Sequence, residues 1–453
     1  MKINKSPWIH QLDQERKSVE LKQDIETDVV IVGAGIAGVS TAFFLLKYTN
    51  KKVVLCDKGK LAHGATGHNA GQVVACFERP LIDMVKEFGF EKIKRALHDL
   101  HSGWILLDEM YMDANLDILF SRIAGAHGLS DLHQVISTLN DVEIEILSGL
   151  PKNDFFISEE APFLNSIPNN FKHLYKVVPH AEILKRLETD NKQFQAVMMD
   201  QRACMNSALF CQEIVMYLLQ KYSRRFSLYE NTHIKKVVLK KKHTLLDADK
   251  HTIGAEKIIL CTNGFESFDI FNEDGLAIDK KFHHLIEGKV GYMSGYLEAL
   301  NKKPAAISYF TSDFDPDSDD PYFYLTRRPH EMGDEKHNLV CVGGPELSID
   351  DREEYLYEYD YPEQMHQDID VFIREVYLTD AGRKIDYQFT WHGLMGYTPN
   401  RVRLIGEEPK NKTLLYNLGC NGIGIIPSIF GGRRISRIIA GEKLNASIFD
   451  PRS

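Results

Sequence analysis

The 453-residue chain sets 54 Lys+Arg against 64 Asp+Glu, a formal charge of −10, with 43% hydrophobic and 26% charged residues. That composition excludes wholesale disorder and fibrous architecture. The acidic balance lacks the basic footprint that nucleic acid requires, so no nucleic-acid partner is expected. The length predicts more than one domain and a core that needs no staples.

The stretch up to Asp24 is polar and has no apolar run of the signal-peptide kind. Next, Val29, Val30, Ile31 and Val32 predict a buried strand, followed by Gly33-x-Gly35-x-x-Gly38 and helical apolar spacing at Ile36, Val39, Phe43 and Leu46. Gly33 suits a tight turn, Gly35 the close approach of a pyrophosphate, and Gly38 helix–strand packing. A helix opening at Ile36 and Ala37 directs unpaired N–H groups and a positive dipole end at phosphates. A second strand over 52–57 ends in Asp57, 24 residues past Gly33, where a carboxylate accepts from a ribose diol, with Lys58 beside it. This order predicts a dinucleotide site for NAD or FAD, and the acid disfavours NADP.

The uncharged stretches 29–46 and 414–432 have the length of membrane spans. Glycines in both, with Asn417, Asn421 and Pro427 in the second, make them glycine-rich turns, so no membrane span is expected. Seven cysteines at 56, 76, 204, 211, 261, 341 and 420 are too scattered for a disulfide framework. Reduced thiols and a cytoplasmic location are the expectation. No H-E-x-x-H or Cys/His pairing suggests a metal.

Downstream stand Gly64, Ala65, Thr66, Gly67, His68, Asn69, Ala70, Gly71 and Gln72. This segment resembles the G-A-S-G-R-N-G-G-Q run of gamma-glutamylputrescine-oxidase-like enzymes, within the broad family of D-amino acid, glycine and sarcosine oxidases. The resemblance recurs at Trp391-x-Gly393, Thr398-Pro399-Asn400 and Ile405-Gly406. It returns at Gly419, Asn421, Gly422, Ile423 and Gly424 before a last helix, and in the strand and turn ending Thr262, Asn263, Gly264. It implies FAD as cofactor. Residues 64–72, Gly393 and 419–424 then lie beside the flavin, Val237 and Val238 meet the adenine, and the turn at Thr262 lies under the dinucleotide. The implied fold is α/β: a Rossmann-like FAD-binding domain from 25–79, 200–275 and 390–453, interleaved with an α+β substrate domain from 80–199 and 276–389 containing an antiparallel sheet. The first insert reads as largely helical. The second has candidate strands at 289–296, 322–327 and 339–343. A helix over 205–222 and a hairpin over 233–239 and 244–248 complete the middle. Lys240, Lys241 and Lys242 cap that hairpin, and the acidic run 313–320 reads as a solvated tip.

The implied activity is oxidation of the C–N bond of a small amine or amino acid by hydride transfer to flavin N5, with oxygen as acceptor giving imine and hydrogen peroxide. Two alternatives stand: a dehydrogenase of the same fold serving a quinone or electron-transfer protein, and a non-catalytic flavin-binding or tRNA-modifying protein. His68 is open to covalent flavin attachment or to a plain hydrogen bond, and the flanking Asn69 and Gln72 match the noncovalent type. A substrate site needs an Arg for a carboxylate and aromatic walls for an amine. Tyr324 and Arg327 are the candidates. Pleat alternation puts Tyr322, Tyr324 and Thr326 on one face and Phe323, Leu325 and Arg327 on the other. His392 is a further candidate, while His283, His284 and the basic edge of Arg433, Arg434 and Arg437 read as structural or solvated.

Overall fold

Because successive strand residues face opposite ways, a wholly apolar strand needs a core on each side. Val29 and Ile31 enter the core shared with the helices, whereas Val30 and Val32 enter a second core on the opposite face. Val53 and Leu55 split from Val54 and Cys56 in the same way. The computed structural model describes residues 4–273, 275–278, 286–315, 322–332, 335–349, 355–377 and 384–451.

Ile25–Val32 pairs in parallel with Val53–Cys56 on one side and His251–Leu260 on the other. Phe226–Tyr229 and Asn411–Leu418 extend this parallel set. An antiparallel meander of Ile234–Leu239, Thr244–Ala248 and His251–Leu260 joins the sheet, which has nine strands among the described residues. Helices Ile36–Tyr48, Ser207–Lys221 and Ile425–Ile439 pack on one face. Ile36–Tyr48 and Ile425–Ile439 cross closely: a Cβ on Gly432 would lie 2.7 Å from the Thr41 nitrogen.

The second sheet, mostly antiparallel, runs Tyr387–Tyr397, Glu287–Ala299, Glu335–Ile349, Phe323–Met332, Ala305–Phe310, Phe120–Leu129, Ala196–Met205, Asp154–Ser158, Lys176–Val178. The three strands expected in the second insert are present, as are the helix and hairpin of the middle segment. The first insert mixes strands with helices. Its longest helix, Phe90–Ala114, packs on the nucleotide side, where a Cβ on Gly103 would lie 2.6 Å from Ile426 Cγ2. Ala196–Met205 and Tyr387–Tyr397 both belong to the second sheet, so the expected boundaries at 200 and 390 cut through strands. His283, His284 and residues 316–320 of the acidic run lie outside the described residues. Among the described residues no helix is long and apolar enough to cross a membrane.

Candidate active site

A cavity of about 1010 Å³ lies between the sheets, at the upper end of small-molecule sites. Its nucleotide end is built on Gly33, whose φ is +107° and whose Cβ, if present, would lie 2.5 Å from the Cys261 carbonyl oxygen. Only glycine permits that turn. Gly35 precedes helix Ile36–Tyr48 and gives it no side-chain cap; the Ile36 N–H donates to Thr66 Oγ1 at 2.9 Å. Gly38 packs on the Gly33 carbonyl and stands outside the cavity lining. Asp57 closes the second strand, accepting from Ala34 N at 2.7 Å and Gly59 N at 2.8 Å. Burial raises its carboxyl pKa despite those two donors. Gly33, Gly35, Ile36, Ala37, Asp57 and Lys58 all line the cavity.

Val237 and Val238 do not. Each is paired on both sides, Val237 with Leu246 and Ile270, Val238 with Leu245 and Phe271. The backbone groups that would meet a base are therefore committed to the sheet. Thr232, His233 and Ile234, where the chain enters that strand, face the cavity instead. Thr262 and Asn263 line it, and Asn263 Oδ1 accepts from Cys420 N at 2.8 Å. Gly264 forms the adjoining left-handed turn at φ +98° and is not exposed to the cavity.

Gly64, Ala65, Thr66, His68, Asn69, Ala70 and Gln72 form one wall. Asn69 braces the loop: its Nδ2 donates to Thr66 O at 2.9 Å and Ser207 Oγ at 2.8 Å, and its Oδ1 accepts from Gly71 N at 2.7 Å. Gly71 itself turns away against the Trp8 ring. The Asn69 carbonyl accepts from Trp8 Nε1 at 2.5 Å and Trp391 Nε1 at 3.3 Å, and Ser6 Oγ donates to the Gly67 carbonyl. The N-terminal segment therefore clamps the loop, a role sequence reasoning missed. Its legible trace is an apolar Trp8-Ile9 behind the Ser6-Pro7 helix start in an otherwise polar stretch.

His68 Nδ1 lies 3.0 Å from the Gly64 carbonyl, so it carries the proton and leaves Nε2 an acceptor. Its ring stacks on Tyr357 at 4.4 Å, and burial, with His63 and His392 nearby, pulls its pKa down to about 4. Gly393 lines the cavity and lets its strand pass the His68 backbone, since a Cβ there would lie 2.6 Å from His68 O. Gln72 Nε2 is buried with no partner among the described residues, as a donor reserved for a bound group would be. At the opposite wall Gly422, Ile423 and Gly424 lead into helix Ile425–Ile439, whose N-terminus has no side-chain cap. Gly419 and Asn421 shape that turn from behind, with Asn421 Oδ1 accepting from Thr398 N at 2.7 Å. An uncapped helix start, an orphaned amide donor and a glycine turn ending at a carboxylate fit a dinucleotide.

Tyr322 and Tyr324 line the cavity as a neighbouring pair, while Tyr355 and Tyr357 line it beside the His68 and Gly64 loop. Arg327 does not. It points to the other side of the sheet, 1% exposed, donating to Glu188 at 2.7 Å twice, to the Tyr377 hydroxyl at 2.6 Å and to Lys303 O at 2.8 Å. His392 is also outside the lining, tied through Nδ1 to the Tyr355 hydroxyl at 2.6 Å and through Nε2 to Tyr359 O at 2.9 Å. Lys289 is a cation on the wall, 5.2 Å from the Tyr397 ring centre. The far arm holds Glu78, Asp141, Glu145 and Asp200, which sequence reasoning also missed. Burial opposes it, yet Arg202 and His127 hold Asp200 well below the ordinary carboxylate range. Gln134, Thr138, Asp141 and Glu145 form a polar stripe on helix Leu132–Leu147, beside the apolar stripe of Val135, Leu139 and Val142, and that periodicity is visible in the sequence.

The chain matches the family described as DAO, FAD-dependent oxidoreductase, over residues 28–438. It is 22% identical over 439 residues to a D-amino acid dehydrogenase of Helicobacter pylori, covering 92% of this chain and 94% of that protein. It is 21% identical over 294 residues to YhfW of Bacillus subtilis, described as a Rieske 2Fe-2S iron-sulfur protein, covering 64% of this chain and 50% of that one, so it spans half of that relative's length. The fold is that of glycine oxidase from Geobacillus kaustophilus, with a TM-score of 0.67, 14% identity, and coverage of 94% of this chain and 98% of that one. With the glycine turn, the terminal acid and the second sheet in place, the chain belongs to the DAO family of FAD-dependent oxidoreductases.

Proposed function

We propose that the protein oxidises the C–N bond of a small amine or amino acid by hydride transfer to flavin N5, with oxygen as acceptor giving imine and hydrogen peroxide. The observation that carries the reading is continuity: the dinucleotide end and an aromatic wall of Tyr322 and Tyr324 belong to one cavity. FAD, when bound, supplies the two-electron acceptor. Gly33, Gly35, Ile36, Ala37, Asp57 and Lys58 hold its nucleotide part, with Thr232 to Ile234, Thr262 and Asn263 alongside. Gly64 to Thr66, His68, Ala70, Gln72, Gly393 and Gly422 to Gly424 hold the isoalloxazine. Asn69 braces the wall from within it, and Gly38, Gly71, Gly264, Gly419 and Asn421 support those segments from behind.

The protein's part is positioning and exclusion of water rather than proton transfer. Tyr324 presents an aromatic wall to the substrate, and burial raises its phenol pKa, so it stays protonated. His68 is neutral above about pH 4 and offers Nε2 as an acceptor. Lys289 offers a cation to a substrate carboxylate, the task Arg327 is placed too far to perform. Once the C=N bond forms, water hydrolyses the imine. The likeness to a D-amino acid dehydrogenase supports a second reading in which a quinone or electron-transfer protein replaces oxygen. Anaerobic titration of the holoenzyme with a panel of amines and amino acids, followed by admission of air, tests both. Bleaching reversed quickly by air with peroxide release supports the oxidase, bleaching that persists in air supports the dehydrogenase, and no bleaching by any compound refutes the activity.

A further inference from the structure

We infer that the far arm of the cavity receives a second, permanently cationic group of the substrate, so the preferred substrate is a diamine or an amino acid with a basic side chain. This rests on the amine-oxidising reading above. The arm begins beside the glycine turn at the helix start: a Cβ on Gly422 would lie 3.1 Å from Glu78 Cγ. The Tyr322 hydroxyl donates to Glu78 Oε1 at 3.2 Å, and the Tyr322 ring stands 5.9 Å from Tyr324. From there the arm runs to Asp141 and Glu145, one helical turn apart.

Among the described residues none of these three carboxylates forms an ion pair. Glu78 holds the Tyr322 hydroxyl, Asp141 the Leu81 N–H at 2.7 Å and Glu145 the Asn153 amide at 2.9 Å, all neutral donors. Of the cations on this arm, Arg202 is engaged by Asp200 at 2.8 Å, with His127 on the other oxygen at 2.9 Å and Ser308 accepting at 3.1 Å, and Arg79 pairs with Glu87 at 2.6 Å. Arg401, on the same wall, lowers the Glu78 carboxyl electrostatically, and Asp83 and Asp200 add negative charge near Asp141 and Glu145. His101, on the same wall, has its pKa lowered by burial and by His98. Glu78, Asp141, Glu145 and Asp200 outnumber Arg202 and Arg401 on this wall, and once ionised they favour a cation in the arm. Phe310, Phe314 and Tyr322 line the same arm, with Phe310 4.6 Å from Tyr322 and 4.9 Å from Phe314. Such faces complement an ammonium group.

Burial pushes Asp141 up to about 8 and Glu145 up to about 7, so both hold protons part of the time at neutral pH. A cation placed between them draws those protons off, and binding therefore releases protons to buffer.

Isosteric pairs test the inference on the holoenzyme: 1,4-diaminobutane against pentylamine, and lysine against 2-aminoheptanoic acid. Calorimetry in buffers of different ionisation enthalpy measures affinity and proton release, and flavin bleaching is followed separately. The expected result is at least tenfold tighter binding of the cationic-tailed member with proton release. That ratio should fall towards one in Glu145→Gln and Asp141→Asn, with FAD content retained and no loss of melting temperature. Equal or tighter binding of the neutral-tailed member, or an unchanged ratio in both variants, overturns it. Selective binding without bleaching upholds the acidic arm while refuting amine oxidation; bleaching without selectivity does the reverse, and failure of every compound to bind refutes both.

Discussion

Replacing Arg327 by Met separates a structural role from a catalytic one. The guanidinium is 1% exposed and makes a two-pronged pair with Glu188, with Tyr377 and the Lys303 carbonyl as further acceptors. Breaking a buried pair by removing one partner costs about 3–5 kcal/mol. The Glu188 side chain is 35% exposed, so water recovers part of its solvation and the cost drops to roughly 2–3 kcal/mol. In a chain of this length that lowers the melting temperature on the order of 5 °C. Thermal unfolding of the FAD-loaded variant measures the loss, and amine-driven bleaching at a temperature where it stays folded measures turnover. Replacing Glu188 by Gln in the same chain should recover part of the stability, because no unpaired charge is then left behind. The expected outcome is reduced stability with near-native bleaching rate and half-saturation. Native stability with a hundredfold slower bleaching would refute the placement of Arg327 behind the sheet.

Other outcomes follow from the same geometry. Trp8→Ala removes a fully buried indole and its bond to the Asn69 carbonyl, at a cost of roughly 3–5 kcal/mol; weakened FAD retention on gel filtration checks it. Acid precipitation should release the yellow colour into the supernatant, since His68 Nδ1 is engaged by Gly64 and its ring stacks on Tyr357; colour in the pellet contradicts a noncovalent His68. Asp141 and Glu145 have folded pKa values raised above their unfolded ones, so folding favours their protonated forms. Between about pH 4 and 8 the native state holds more protons than the unfolded one, and stability declines with rising pH. Melting curves of Asp141→Asn, which keeps an acceptor for the Leu81 N–H, should gain on the parent as pH rises from 5 to about 8.

The nucleotide end was legible because its determinants are local. A strand-to-helix glycine turn at Gly33, a helix start at Ile36 and an acid at a strand end are read from neighbours close in sequence, although the carbonyl that Gly33 approaches belongs to the distant Cys261. Val237 and Val238 failed because their fate depends on two partner strands, Thr244–Ala248 and Asp269–Asn272, that together occupy their backbone. Pleat alternation separated Tyr324 from Arg327 correctly, yet it carries no information about which face meets the cavity, and the two candidates lie on opposite faces. The Trp8 clamp and the acidic arm were missed for a related reason. Each joins segments distant in the chain: Trp8 with Asn69, and Glu78 with Asp141 and Glu145. The polar stripe on Leu132–Leu147 shows a face needing polar company without revealing a cavity opposite it.

The most direct measurement is an anaerobic bleaching rate compared between an amine bearing hydrogen and the same amine bearing deuterium on the carbon next to nitrogen. Severalfold slowing with deuterium is the expected result, because breaking that bond is the step attributed to the cavity. A flavin that stays yellow, or bleaches at the same rate with both, contradicts the account.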